Sequence, residues 1–164
     1  MSPARAIFYG GLTVGVLDGL YAVVLWYLRG VGPSRVFQGV AAGLLGRASF
    51  EGGTPTALLG LALHFFIAFC VAAVYYLASK RIGVLTRKAV ICGLVYGVLV
   101  YLFMTFVVVP LSAARGGMPT LPMFILNAVF HAFLVGLPAA LFARAAAGYG
   151  ASSSASNRFG ATTR

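Results

Sequence analysis

Four apolar runs restrict what this chain can fold into. They lie near residues 6–28, 57–79, 89–112 and 121–143, and each can cross a bilayer, which takes about 20 helical residues. Inside hydrocarbon every backbone N–H and C=O must find its partner within the protein, so only helices and closed barrels span it. The period-two alternation of a barrel strand is absent. Composition agrees: 61% of the residues are hydrophobic and 9% charged, against roughly a quarter charged in a soluble domain. The expected fold class is an all-α membrane protein, a four-transmembrane-helix bundle forming a single domain over 1–144, with the lipid bilayer as its first partner.

The first run is read as an uncleaved span. It is too long for a secretory h-region, Asp18 interrupts it, and no small-x-small cleavage site follows. From 145 to 164 the chain is rich in Ala, Gly and Ser with two arginines, and is expected to form a disordered cytoplasmic tail. The net charge of +10 does not signal nucleic-acid binding, because the basic residues sit at span ends and in the tail. They set orientation instead. With both termini inside, the cytoplasmic segments carry Arg5, Lys80, Arg81, Arg87, Lys88, Arg144, Arg158 and Arg164, and the outer loops Arg29, Arg35, Arg47 and Arg115. That balance favours cytoplasmic termini, with the tight Lys80–Lys88 loop as its strongest element.

Two stretches repeat. Gly11-Leu12-Thr13-Val14-Gly15 returns as Gly93-Leu94-Val95-Tyr96-Gly97, and Gly52-Gly53-Thr54-Pro55-Thr56 as Gly116-Gly117-Met118-Pro119-Thr120. Each second motif precedes one of the chain's 2 histidines, His64 and His131. Each copy holds two spans, so both copies point the same way, as parallel-repeat helical hairpins. The offsets are 82 and 64 positions, so the first copy carries 18 extra residues in its outer loop. There Val36, Val40 and Leu44 recur at helical spacing with Phe37, Ala41, Leu45 and Ala48, while Arg35, Gln38 and Arg47 fall elsewhere. This pattern predicts a short interfacial helix on the outer membrane surface; the alternative, favoured by Gly39, Gly43 and Gly46, is a loop dipping into the interface. Trp26 with Tyr27, and Tyr75 with Tyr76, fit interfacial aromatic belts. Pro110 is expected to close the third span and Pro138 to kink the fourth.

Asp18 is one of 2 acidic residues and lies near the centre of the first span, where a carboxylate costs at least ~2.5 kcal/mol unless protonated, paired or turned inward. It borders a ridge of small residues, Gly11, Gly15 and Gly19, which with Gly93 and Gly97 is expected to pack helices closely. Gly60, His64, Ala68 and Ala72 form a second such stripe, and Asn127 and His131 stand one turn apart. By depth, Asp18, His64, His131 and Asn127 are the candidates for an interior polar site. Three readings of it stay open: interhelical hydrogen bonding, a protonatable pathway, and a haem held by His64 and His131. Its symmetry is broken by Asp18, whose counterpart in the second copy is Val100.

Cys70 and Cys92 show neither disulfide nor zinc spacing, and Glu51 is expected to pair with Arg47 at the surface. There is no nucleophile with an adjacent base, no phosphate-cradling loop and no metal-protease motif, so no enzyme is expected, and no metal or cofactor apart from that haem alternative.

From His64 to Arg144 the chain shows a His-bearing span, tyrosines, a basic loop, a Gly-Leu-x-x-Gly span ended by Pro110, and a last span with a histidine. This order resembles the YagU-like family of small bacterial inner-membrane proteins, over roughly half the chain. The resemblance implies a multi-pass location in the bacterial inner membrane and transfers no catalytic residue. The functional expectation is small-solute or proton-linked transport through the interior polar site, with a homodimer formed through the glycine ridges to enclose a path. The alternative is a structural or assembly subunit of a larger membrane complex.

Overall fold

The computed structural model describes residues 1–114 and 117–148. Those residues form helices α1 (Pro3–Tyr27), α2 (Pro33–Leu45), α3 (Gly53–Arg81), α4 (Ala89–Leu111) and α5 (Leu121–Gly148). All but α2 are long and apolar enough to cross a membrane. At 1.5 Å per residue the 23-residue α4 is about 35 Å long, enough for a hydrocarbon layer of ~30 Å. Helix starts follow local chemistry. Ser2 caps α1 by accepting from the Arg5 N–H, and prolines open α1, α2 and α5, where their missing N–H leaves no bond unmade. Gly53, at φ +61, opens α3 in a backbone conformation that glycine adopts without strain.

Small residues face inward and large apolar ones outward. The buried core is dominated by alanines, among them Ala68, Ala89, Ala139, Ala140 and Ala143, while Leu20, Leu58, Phe66 and Ile91 project away from the bundle. This is the arrangement expected where lipid supplies no hydrophobic drive between helices and close backbone approach does the packing. α1 packs on α3, and α4 on α5. The glycine ridges lie inside these two pairs. Gly11 and Gly15 lie against Phe69, Phe65 and Ala68 of α3. Gly97 is so close to α5 that an added Cβ would sit 2.6 Å from the Ala132 Cα. All five ridge glycines are buried within one chain, so a second copy would have to use another face.

The two pairs join edge to edge. α1 touches α5, and Gly10 faces Phe142 and Ala72. Across the other side the Tyr96 hydroxyl donates to the Val71 carbonyl at 2.8 Å, and the Tyr75 and Tyr96 rings meet at 4.9 Å. Tyr75 and Tyr76 are therefore buried, at 1% and 7% exposure, rather than belted at the lipid interface. The Tyr75 hydroxyl donates to the Leu85 carbonyl at 2.9 Å, which draws its ring under the Lys80–Lys88 loop, and the Lys80 ammonium lies 5.3 Å from the Tyr76 ring. Trp26 and Tyr27 remain exposed.

Three further expectations change. α2 exists, but it packs chiefly on α3 across the end of the bundle, with the Phe37 carbonyl against Gly60. Its buried residues are Gln38, Ala41 and Ala42, whereas Leu44 and Leu45 are exposed. Gln38 turns inward because its amide donates to the Gly53 carbonyl at 3.0 Å and to the Thr56 hydroxyl at 3.4 Å. α5 continues past 144 to Gly148, since Ala146 still finds core to pack on; the remainder of the expected tail lies outside the described residues. Pro138 is accommodated by a wide π turn, Ala132–Gly136, as Pro110 is by Met104–Val108. A proline ring crowds the carbonyl four residues back and donates no hydrogen bond. The residue before each proline donates five back instead, Leu137 to Ala132 and Val109 to Met104.

Candidate interior polar site

Asp18 sits between two neighbours of α1. The helical step that turns Gly15 and Gly19 toward α3 turns Asp18 toward α5. The Nε2 of His131 stands 3.7 Å from Asp18 Oδ1, and the two side chains are only 20% and 21% exposed. That separation suits an ion pair but exceeds a direct hydrogen bond. The other ring nitrogen of His131, Nδ1, is 2.8 Å from the Asn127 carbonyl. A carbonyl only accepts, so Nδ1 carries a hydrogen and Nε2 is the atom offered to Asp18. A neutral ring in that tautomer would turn a lone pair toward a carboxylate, and the two would repel. The contact is attractive when one further proton is present, on Nε2 or on the carboxyl.

Two tyrosines complete the cluster. The Tyr21 hydroxyl donates to Asn127 Oδ1 at 2.8 Å, and its ring stacks on Phe130 at 4.2 Å. Tyr101 of α4, almost fully buried, holds its ring 5.0 Å from that of His131. The π turn of α5 begins at the residue after His131. Such turns recur at functional sites because they displace side chains from the ordinary helical stripe.

His64 does not join the group. Its Nε2 lies 2.8 Å from the Gly15 carbonyl; a carbonyl only accepts, so that nitrogen carries a hydrogen. The missing side chain of Gly19 makes room, since a Cβ there would stand 3.0 Å from that nitrogen. Phe37 and Phe65 flank the ring edge-on. Among the described residues no hydrogen bond or ion pair links His64 to Asp18 or His131. Of the four expected residues, Asp18, His131 and Asn127 come together, and His64 instead makes a separate tie to α1. In both histidines Nε2 faces a partner on α1, the Gly15 carbonyl for His64 and the Asp18 carboxylate for His131.

The sequence reading missed Tyr21 and Tyr101. Tyr21 stands three residues after Asp18 on the same face, a readable signal. Tyr101 occupies the place of Gly19 under the 82-residue offset, which marks it as the bulky exception in a small-residue ridge. Glu51 forms no ion pair with Arg47 among the described residues; it follows a 3₁₀ turn, Gly46–Phe50, whose tighter winding takes the two off a common α-helical face.

Beneath α2 lies a cavity of about 590 Å³, bounded by Ala22 and Trp26 of α1, Val40 of α2, Ile67 of α3, and Met104 and Val108 of α4. Ala22 is one helical turn from Asp18, and Met104 three residues from Tyr101. The polar cluster therefore begins roughly 5 Å below the cavity floor.

No protein-family model matches the chain, and neither does any curated protein or solved structure.

Proposed function

We propose that this chain is a proton-linked membrane protein that passes protons or a small solute by way of the Asp18–His131 pair. One observation carries the reading: the only carboxylate within the spans stands 3.7 Å from the histidine nitrogen left free by the Nδ1–Asn127 bond, a contact that an added proton makes attractive. Gaining or losing that proton changes the α1–α5 contact from attraction to repulsion, which is the kind of two-state element a coupled transporter needs. The cavity under α2 supplies the approach from one side.

The same proposal places the chain in the bacterial inner membrane with cytoplasmic termini, so that the α2 end faces outward. This follows the basic bias of the inner loops and the YagU-like order of features. It also takes the two hairpins as copies of one unit. Supporting this, His64 lies against Gly15 and Gly19, and His131 against the equivalent Gly97 and Tyr101. The rival reading, a structural subunit of a larger complex, draws on His64, whose bond to Gly15 needs only a neutral ring.

The test is proton uptake by proteoliposomes loaded with a pH-sensitive dye and driven by a potassium diffusion potential. Wild-type protein should acidify the lumen faster than empty vesicles, Asp18→Asn and His131→Gln should remove the excess, and His64→Gln should keep it. Equal rates for Asp18→Asn and wild type, or no excess in the wild type, would sink the reading.

A further inference from the structure

The cavity under α2 has a roof with no side chain where a helix would gain from one. Gly39 and Gly43, one turn apart on α2, both line it. A glycine inside a helix costs about 1 kcal/mol relative to alanine. Gly60 and Gly97 offset that cost with backbone contacts to α2 and α5, but a Cβ on Gly39 would meet nothing within 4 Å. What the bare position provides is space. The walls are apolar, with Val36, Val40, Ile67, Met104 and Val108 among them, and the volume of about 590 Å³ falls inside the ~300–1,000 Å³ typical of small-ligand sites.

The rim is cationic. Arg35 lines the cavity and holds its guanidinium 5.0 Å from the Phe50 ring, while Arg29 lies 6.0 Å from Trp26; both rings are part of the wall. The one carboxylate at this end, Glu51, forms no ion pair with either arginine among the described residues. Ser112, a further polar group of the wall, donates its hydroxyl to the Val109 carbonyl at 2.8 Å. The cap of α2 is Gly32, which offers its first-turn amides no side-chain acceptor, so the helix end adds positive potential to that of Arg35.

We propose that this cavity binds a single-chain amphiphile with a carboxylate head: the alkyl chain lies along the roof at Gly39 and Gly43, and the head meets Arg35. Apolar walls with the Arg35 guanidinium at the mouth, in no ion pair among the described residues, fit that ligand, and they exclude a cationic one of the same length. The site lies above the Asp18–His131 pair, shares no residue with it, and stands whether or not that pair carries protons.

Trp26 makes the test direct, because it is the single tryptophan of the chain and lines the cavity. Dodecanoate is titrated into the full-length protein in phosphatidylcholine nanodiscs, and Trp26 fluorescence is followed. A saturable change is expected, with no saturable change from dodecyltrimethylammonium. Arg35→Gln, at an exposed position, should raise the midpoint about tenfold, the loss of one charge-assisted contact. Gly39→Leu should abolish saturation while helicity and thermal unfolding stay at least at wild-type level. A non-saturable change common to all variants, an unchanged midpoint in Gly39→Leu, or equal binding of the cationic amphiphile overturns the assignment. Repeating the titration in phosphatidylglycerol discs separates the sources: an unshifted midpoint supports the free amphiphile, and lost saturation assigns the cavity to the bilayer's anionic lipid and refutes it.

Discussion

Replacing Gly97 by alanine tests whether the α4–α5 crossing holds the interior site together. The new Cβ would lie 2.6 Å from the Ala132 Cα and 2.7 Å from the His131 carbonyl carbon, with the His131 carbonyl oxygen closer still. Carbon atoms pack at about 3.5 Å or more, so the helices must part by roughly 1 Å. These are backbone atoms, and no rotamer change can absorb the overlap. A gap of 0.5–1 Å forfeits roughly a quarter to a half of each contact's dispersion energy, and dispersion is what holds membrane helices together. Overpacking typically costs about 1–3 kcal/mol; with three backbone atoms in the way we expect about 3. The displaced residue is His131 itself, so separation from Asp18 should accompany the loss of stability. Unfolding in mixed micelles by added SDS, followed by far-ultraviolet circular dichroism, measures the cost. Gly10→Ala is the control: its nearest neighbour would be 3.4 Å away, an ordinary contact, and the change should be neutral or stabilising by up to ~1 kcal/mol. If Gly97→Ala costs less than ~0.5 kcal/mol, or no more than Gly10→Ala, the argument from close backbone approach is wrong.

Other residues give sharper, smaller effects. Tyr96→Phe removes the hydroxyl that bonds the Val71 carbonyl and should cost about 0.6 kcal/mol in the same assay; a loss above 2 kcal/mol would mean that the ring, not the bond, was disturbed. Gln38→Leu removes the tie from α2 to Gly53 and Thr56. The tie is worth about 1 kcal/mol, so amide exchange in α2 should quicken roughly fivefold, with the spans unchanged; equal acceleration in α1 and α5 would contradict the local role. His64→Ala should lower stability by the bond to Gly15 plus a packing loss, yet leave Asp18-dependent proton uptake intact. Loss of uptake there would return His64 to the polar site.

The spans were readable because hydrocarbon imposes a length and a composition that no tertiary detail alters. The sequence-derived runs differ from α1, α3, α4 and α5 by a few residues at most of their ends. Asp18 was readable as inward-facing for the same reason, since a lone carboxylate must avoid lipid. Its partner was not. Equal depth made His64 and His131 equally eligible, and only the rotation of α1 between α3 and α5 separates them. Gln38 misled because polarity was taken as exposure; its amide donates to the Gly53 carbonyl, which draws it inward. Tyr75 and Tyr76 misled in the opposite way, for a belt residue and a buried one share the same chemistry until the loop is in place, with the Leu85 carbonyl on the Tyr75 hydroxyl and Lys80 over the Tyr76 ring.

The sequence by itself determined that this is a multi-span helical membrane protein with one intramembrane acid and two histidines, because backbone hydrogen bonding and the cost of charge in lipid act on each segment alone. The tertiary structure decided which histidine meets that acid, which nitrogen it offers, that the glycine ridges are spent inside the chain, and that α2 roofs a cavity. Each of these depends on how two helices rotate and approach, quantities set by the contacts of both partners together and by neither sequence segment alone.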